Sequence, residues 1–158
     1  MSFKDKAFKD RFSDTMWNHS EVKFEERWPH PFVRFGLGES DDDSPIDTWK
    51  LTSFVRHRPD YLTQVNNKLY LIEVQGTGKN GSHKFKQTKL DACRRWNQEH
   101  QVFYWLWDDE AQTACVISHL KVMLLIAQGK ATTGLFDGKR PFFAIAKDLA
   151  TAEADWIY

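Results

Sequence analysis

The sequence predicts an α/β protein with a mixed central β-sheet flanked by helices, on three observations. Residues 60–75 contain two strand-like stretches on either side of Asn66-Asn67, which predicts a β-hairpin because Asn tolerates positive φ. Residues 83–99 carry an apolar stripe at helical spacing. The almost continuous apolar run 102–107 predicts a buried strand, so the chain contains a strand–helix–strand unit.

The first part of the chain adds one helix and one strand. Residues 15–28 show helical periodicity, and Pro29 ends this helix. Residues 32–37 alternate between apolar and polar side chains and predict a strand. Residues 49–55 are interpreted as irregular or as a short strand that leads into the hairpin.

The last part of the chain predicts further elements. Residues 113–117 indicate a strand, and Ser118 is expected to cap a helix over residues 119–128. Residues 134–141 are rich in turn formers, and residues 142–146 predict a last strand or an apolar surface segment. The apolar side chains of the tail are expected to cover a sheet edge or a dimer partner.

Composition limits the class of protein. The 158 residues fit one domain, and 22 Lys+Arg balance 22 Asp+Glu, so any nucleic-acid surface must be a local patch. Cys93 and Cys115 have no metal-binding spacing and predict no disulfide, which fits a reducing cytoplasm. No signal peptide is expected at the charged start, and the longest apolar run, 122–127, is too short to span a bilayer.

The hairpin places two carboxylates together. With Asn66 and Asn67 as the turn, Asp60 lies directly opposite Glu73 on the same face, and Gln75 shares that face. Two like charges at that separation are costly unless a cation lies between them. Because Mg²⁺ prefers oxygen ligands, the pair predicts a magnesium site.

Two helical residues are candidate partners of this pair. Glu21 lies on or beside the apolar stripe of the first helix, either as a boundary glutamate or as a third acidic group near the metal. Lys89 falls near the middle of the stripe of the second helix. Its ammonium either reaches a carboxylate or a phosphate, or extends to water while its stem packs.

A basic patch surrounds the second helix, with Asp91 as its one acidic residue. A solvated helix face is the competing interpretation. The glycine-rich loop before the helix lacks the GxxxxGK[ST] spacing, so no nucleotide cofactor is predicted. The residues expected to contact DNA phosphates are Lys79, Lys84, Lys86 and Arg94.

With Pro59-Asp60 and Glu73-Val74-Gln75 on a hairpin between a helix and a basic helix, the sequence resembles the PD-(D/E)XK nuclease superfamily, in particular small phage-type endonucleases and Holliday-junction resolvases. The resemblance covers about residues 13–107. It implies a restriction-endonuclease-like core within a single domain, residues 1–158, of which residues 108–158 are a C-terminal elaboration.

The resemblance also implies roles. Asp60 and Glu73 would bind Mg²⁺, for which Mn²⁺ would substitute, together with the Val74 backbone carbonyl. Glu21 would complete the site, and Asp14 and Glu25 are weaker candidates. The sequence departs from the family pattern because Gln75 stands where lysine is usual. We expect a lysine of the following helix to replace it, first Lys89 and then Lys86.

The function implied is a Mg²⁺-dependent DNA endonuclease, with branched DNA as one candidate substrate. Cutting a junction requires two sites, so that version predicts a symmetric homodimer. A phage-encoded protein would act in the host cytoplasm. The alternative is a catalytically weak or inactive DNA-binding protein, or a phage structural or regulatory protein, that keeps the nuclease fold.

Overall fold

The computed structural model describes residues 18–37, 47–77 and 81–157. The helices are α1 (Asn18–Arg27), α2 (Ser53–Arg56), α3 (Gln87–Trp96), α4 (His119–Ala127) and α5 (Lys147–Ala152), with a 3₁₀ turn at Thr48–Lys50. The strands are β1 (Phe32–Arg34), β2 (Tyr61–Val65), β3 (Lys68–Gly76), β4 (Ser82–Lys86), β5 (Val102–Asp108), β6 (Thr113–Ser118), β7 (Thr132–Phe136), β8 (Arg140–Ala146) and β9 (Trp156–Ile157).

A mixed sheet forms the centre of the molecule. Among the described strands, six form this sheet in the order β1-β2-β3-β5-β6-β9, in which β3 and β5 run parallel and the other neighbours antiparallel. One face buries Phe24 of α1, and Trp28 directly after the helix, against the sheet. The other face buries residues of α3, α4 and α5. The predicted α/β class, with a mixed central sheet flanked by helices, is confirmed.

The predicted hairpin and its register are also confirmed. Asn66 and Asn67 adopt φ values of 49° and 64°, as a two-residue turn of the left-handed type requires. Tyr61 pairs with Ile72. Asp60 directly precedes this pair on one strand and Glu73 directly follows it on the other, so the turn brings the two carboxylates to one end of β2.

The predicted helix over residues 83–99 is wrong at its start, because residues 82–86 form β4. Alternating side chains explain the difference, since His83 and Phe85 are buried while the residues between them are partly exposed. β4 pairs with β8 and β8 with β7, which makes a second, three-stranded sheet among the described residues. The turn-rich segment 134–141 is therefore mostly the β7–β8 hairpin.

The remaining elements agree in part with expectation. Residues 49–55 form part of the 3₁₀ turn and α2 rather than a strand. The Ser118 hydroxyl accepts a hydrogen bond from the Lys121 N–H at 3.3 Å and caps α4 as predicted. β9 pairs with β6, so the tail covers a sheet edge. Asp14 and Lys79 lie outside the described residues.

None of the helices within the described ranges is long and apolar enough to cross a membrane.

Candidate active site

A cleft of about 580 Å³ opens where β2 and β3 diverge. The end of the central sheet and α3 form its floor, and the 3₁₀ turn with α2 lies on one side. The β7–β8 hairpin and β4 lie on the other side. Among the described residues, its charged lining comprises the acidic Glu21, Asp60 and Glu73 and the basic Arg56, Arg58, Lys84, Lys86, Lys89, Lys139 and Arg140.

The Asp60–Glu73 pair lies in this floor. Glu73 has 8% of its surface exposed. The Asp60 carboxylate accepts a hydrogen bond from the Val74 N–H at 2.9 Å. It therefore lies beside β3 just before β2 begins, where a strand carbonyl would otherwise accept this bond. Since the N–H and C=O of one strand residue point to the same side, the Val74 carbonyl faces Asp60 as well. Three oxygen-bearing groups therefore converge at one strand end.

Lys89 projects from α3 onto this pair. Its ammonium lies 2.9 Å from Oε2 of Glu73 and donates a hydrogen bond to the Arg58 carbonyl at 3.0 Å. The side chain is 21% exposed. Of the two alternatives that its position left open, Lys89 reaches a carboxylate rather than extending to water.

The electrostatics of the pair favour an additional cation. Burial, followed by the negative charge of Asp60, raises the pKa of Glu73 well above its ordinary value. Burial opposes the charged form of Lys89, but the carboxylates of Glu73 and Asp60 outweigh it and raise the lysine pKa. One ammonium thus faces two carboxylates.

The buried oxygens are also open to a metal. Oε2 of Glu73 is buried and lies 2.9 Å from the Lys89 ammonium. A carboxylate has about four lone-pair sites, so Glu73 can face the ammonium and still coordinate a metal ion. Together with Asp60 and the Val74 carbonyl it fits a hard, oxygen-ligated divalent ion.

This arrangement makes a pH-dependent prediction for the metal. Because its folded pKa is raised, Glu73 stabilises the metal-free fold below its unfolded pKa, and this contribution is lost as pH rises through the folded value. Mg²⁺ must displace the proton, so its affinity should rise over the same window. We expect Mg²⁺ to raise the melting temperature more at about pH 8 than at about pH 5, as measured by thermal unfolding with EDTA references.

The matched control for that experiment is Glu73→Gln. Because this variant has no carboxyl group at position 73 to titrate, its response to Mg²⁺ should be small at both values of pH. An Mg²⁺ effect in the wild type that does not change with pH would contradict the assignment of Glu73 as a ligand.

Glu21 does not join the carboxylate pair. It lines the cleft, but its carboxylate lies 3.2 Å from the Arg34 guanidinium, which also contacts Glu25 at 2.7 Å. Arg34 lies on β1, next to β2, and pairs with both acids. Across residues 18–37, 47–77 and 81–157, no three His, Cys, Asp or Glu side chains are grouped to hold one metal ion. In this structure Glu21 and Glu25 pair with Arg34, and the role of either as a third metal ligand stays a prediction.

Gln75 faces the cleft but is tied to a neighbouring strand. Its side-chain N–H donates to the Lys84 backbone carbonyl, which links β3 to β4. Gln75 is neutral and supplies no positive charge to the site. The positive charge near Glu73 comes from Lys89 instead. The contribution of Gln75 to positioning water stays a prediction.

The predicted basic patch divides into two groups. Lys84 and Lys86 line the cleft, and the ammonium of Lys84 lies 5.1 Å from the centre of the Phe142 ring. Arg94 is not among the described residues that line the cleft. Its charge acts on His119 instead: burial lowers the pKa of His119, and the positive charge of Arg94 lowers it further. Arg94 therefore lies outside the described lining that Lys84 and Lys86 share, and its contact with DNA stays a prediction.

Sequence reasoning missed part of the cleft wall. Arg56 follows a segment predicted to be irregular or a short strand, and Lys139 and Arg140 lie in the turn-rich segment that becomes the β7–β8 hairpin. The signal for the hairpin was present in Asp137-Gly138, where both residues have positive φ, of 50° and 68°. Its position over the cleft follows from pairing between β4 and β8, which is remote in sequence.

Comparison with solved structures gives 18 similar chains, among them a viral nuclease and an archaeal resolvase. No protein-family model and no curated protein matches this chain. A nuclease from a fusselovirus is similar in structure, with a TM-score of 0.46, 13% identity and coverage of 91% of this chain and 84% of that chain. A Holliday junction resolvase, Hjc, from the archaeal hyperthermophile Archaeoglobus fulgidus is similar at a TM-score of 0.48 and 11% identity, covering 84% and 88% of the two chains.

Proposed function

We propose that this protein is a Mg²⁺-dependent DNA endonuclease that hydrolyses phosphodiester bonds in the cleft. The observation that carries the proposal is the pair of Asp60, partly exposed, and Glu73, buried, beside the Lys89 ammonium at the floor of a cleft with basic walls. The acidic floor suits a metal ion, and the basic walls suit the phosphates on either side of the bond that is cut.

The residues divide the chemistry between them. Asp60, Glu73 and the Val74 carbonyl would hold the ion, with Mn²⁺ able to replace Mg²⁺. A bound divalent ion supplies polarisation of the phosphate and a lower pKa for water. Lys89, already protonated beside Glu73, stabilises negative charge that develops on the phosphoryl oxygens. Lys84, Lys86 and Arg140 hold the flanking phosphates.

The finer substrate assignment rests on the sequence resemblance. Branched DNA such as a Holliday junction is the candidate, and cutting it symmetrically requires two sites, hence a homodimer. DNA cleavage would place the protein in the cytoplasm of the cell, or of the host if a phage encodes it.

A second candidate is a DNA-binding protein that keeps this cleft without cutting. The observation in its favour is Gln75, which replaces the usual lysine and turns its amide to the Lys84 carbonyl. Such a protein would bind DNA through the basic walls and show no Mg²⁺-dependent cleavage.

The test is to incubate the protein with supercoiled, linear and four-way-junction DNA in Mg²⁺, Mn²⁺ or EDTA. The endonuclease predicts cleavage of at least one substrate with either ion and none with EDTA. Binding of DNA without cleavage under every condition would favour the second candidate. Preferential, paired cuts in the junction would support the resolvase version.

The basic walls make a separate prediction about affinity. Replacing Lys84 or Arg140 with alanine should reduce the slope of log K against log salt concentration by about 0.7–0.9 for each phosphate that the variant no longer neutralises. Arg94→Ala is the matched control, since Arg94 lies outside the described lining of the cleft. Titrations at several salt concentrations measure the slope, and an equal reduction in the Arg94 variant would contradict the placement of the DNA.

A further inference from the structure

Trp49 is an exposed aromatic residue at the cleft. Its surface is 69% exposed, although an indole is among the most favourable side chains to bury. It lines the cleft together with the basic residues and the carboxylate pair. The Arg56 guanidinium stacks on the ring, with its carbon 4.9 Å from the ring centre.

The position of this ring is fixed by the elements around it. Thr48, its neighbour in the 3₁₀ turn, is only 3% exposed. Arg56 belongs to α2, and the indole N–H of Trp96 donates to the Phe54 carbonyl of α2 at 2.8 Å. The Arg95 guanidinium lies 3.7 Å from the centre of the Phe54 ring. These contacts hold α2, which carries the cation stacked on the ring, against α3, which carries Lys89.

The size and the lining of the cleft point to one class of occupant. About 580 Å³ falls in the range of roughly 300–1,000 Å³ in which proteins bind small molecules, so the cleft has room for nucleotides of one strand. An aromatic ring among cations is the arrangement that binds single-stranded nucleic acid, where bases stack on rings and phosphates contact Lys or Arg.

We infer that Trp49 is a stacking site for an unpaired base of the strand bound in the cleft, so that the protein prefers DNA with unpaired nucleotides to fully paired duplex. The inference rests on the proposed function and specifies the substrate of the same site. Arg56 supports the ring from one side and neutralises a neighbouring phosphate. Phe136 and Pro141 of the β7–β8 hairpin also line the cleft.

The test measures binding without cleavage. Oligonucleotides with 2-aminopurine at an unpaired position, or at the same position in a full duplex, are titrated with protein in EDTA. The wild type should bind the unpaired form more tightly and quench its fluorescence. Trp49→Ala should weaken that binding by about 5- to 150-fold and abolish the quenching. Trp49→Phe should keep most of both because it retains a ring.

Trp156→Ala is the matched control. Trp156 is also exposed, at 44%, but it lies on β9 and is not among the described residues that line the cleft. Its variant should bind and quench like the wild type. Thermal unfolding of all three variants shows whether they are folded. A variant that keeps the wild-type melting temperature but binds more weakly has lost base stacking and not its fold.

The outcomes distinguish this inference from the proposed function. If the wild type cleaves DNA in Mg²⁺ but Trp49→Ala binds and quenches unchanged, the stacking site is wrong and the endonuclease stands. If no variant cleaves but quenching depends on Trp49, the endonuclease is wrong and the stacking site stands. Tighter binding of the paired duplex by the wild type would overturn the stacking inference.

Discussion

Glu73→Gln is expected to reduce Mg²⁺-dependent cleavage by roughly 10²- to 10⁴-fold, because a metal ligand supplies several kcal/mol of transition-state stabilisation and about 1.4 kcal/mol corresponds to a factor of ten. The same change should leave the metal-free protein at least as stable as the wild type near pH 8. The variant keeps one carboxylate, Asp60, opposite one ammonium, Lys89, and so removes the excess negative charge of the buried cluster.

The combination of the two effects is the useful feature of this variant. A misfolded protein would lose activity and stability together, whereas this one should lose activity and keep its melting temperature in EDTA. Steady-state cleavage and thermal unfolding measure the two. Glu99→Gln, an exposed carboxylate that is not part of the described cleft lining, is the control and should change neither. A Glu73→Gln protein that cleaves like the wild type would refute the site.

Lys89→Met is expected to have the opposite effect on stability. It leaves Asp60 and Glu73 close together without their cation, and removing one partner of a buried pair typically costs about 3 kcal/mol or more. Urea unfolding in EDTA should show this destabilisation. Because Mg²⁺ then becomes the main neutralising charge, it should stabilise this variant by more than it stabilises the wild type.

Activity should also fall in Lys89→Met, by about 10²- to 10³-fold, since a preorganised donor at the developing charge is removed. Lys89→Arg keeps the charge and should retain most of the stability. Its activity depends on whether the planar guanidinium can reach the phosphoryl oxygens as the ammonium does. Lys68→Met, an exposed lysine beside the hairpin turn, is the control. Full stability of Lys89→Met in EDTA would show that the ammonium does not hold the carboxylates together.

The centre of the site was predictable because it depends on local rules. Asn66-Asn67 fixes the register of a hairpin whose strands are adjacent in sequence, and the register alone brings Asp60 to Glu73. Lys89 was identified because a lysine within an apolar helical stripe needs a buried partner. These inferences require no knowledge of how distant segments meet.

The walls of the cleft were not predictable because they depend on contacts between segments that are distant in sequence. Residues 82–86 merge with the pattern of the following helix, since Phe85 fits both a period of two and a helical stripe. Only pairing with β8, about 60 residues away, identifies them as a strand. The position of Glu21 likewise depends on Arg34 of β1, an ion pair between separate elements that sequence periodicity does not reveal.

The most direct test of the central claim is the location of a divalent ion. Crystals grown or soaked with Mn²⁺ would reveal the ion by its anomalous scattering. We predict a peak coordinated by carboxylate oxygens of Asp60 and Glu73 and by the Val74 carbonyl, and we expect Glu73→Gln to abolish it. An absence of Mn²⁺ from this position at concentrations that support cleavage, or a peak held by other residues, would contradict the account.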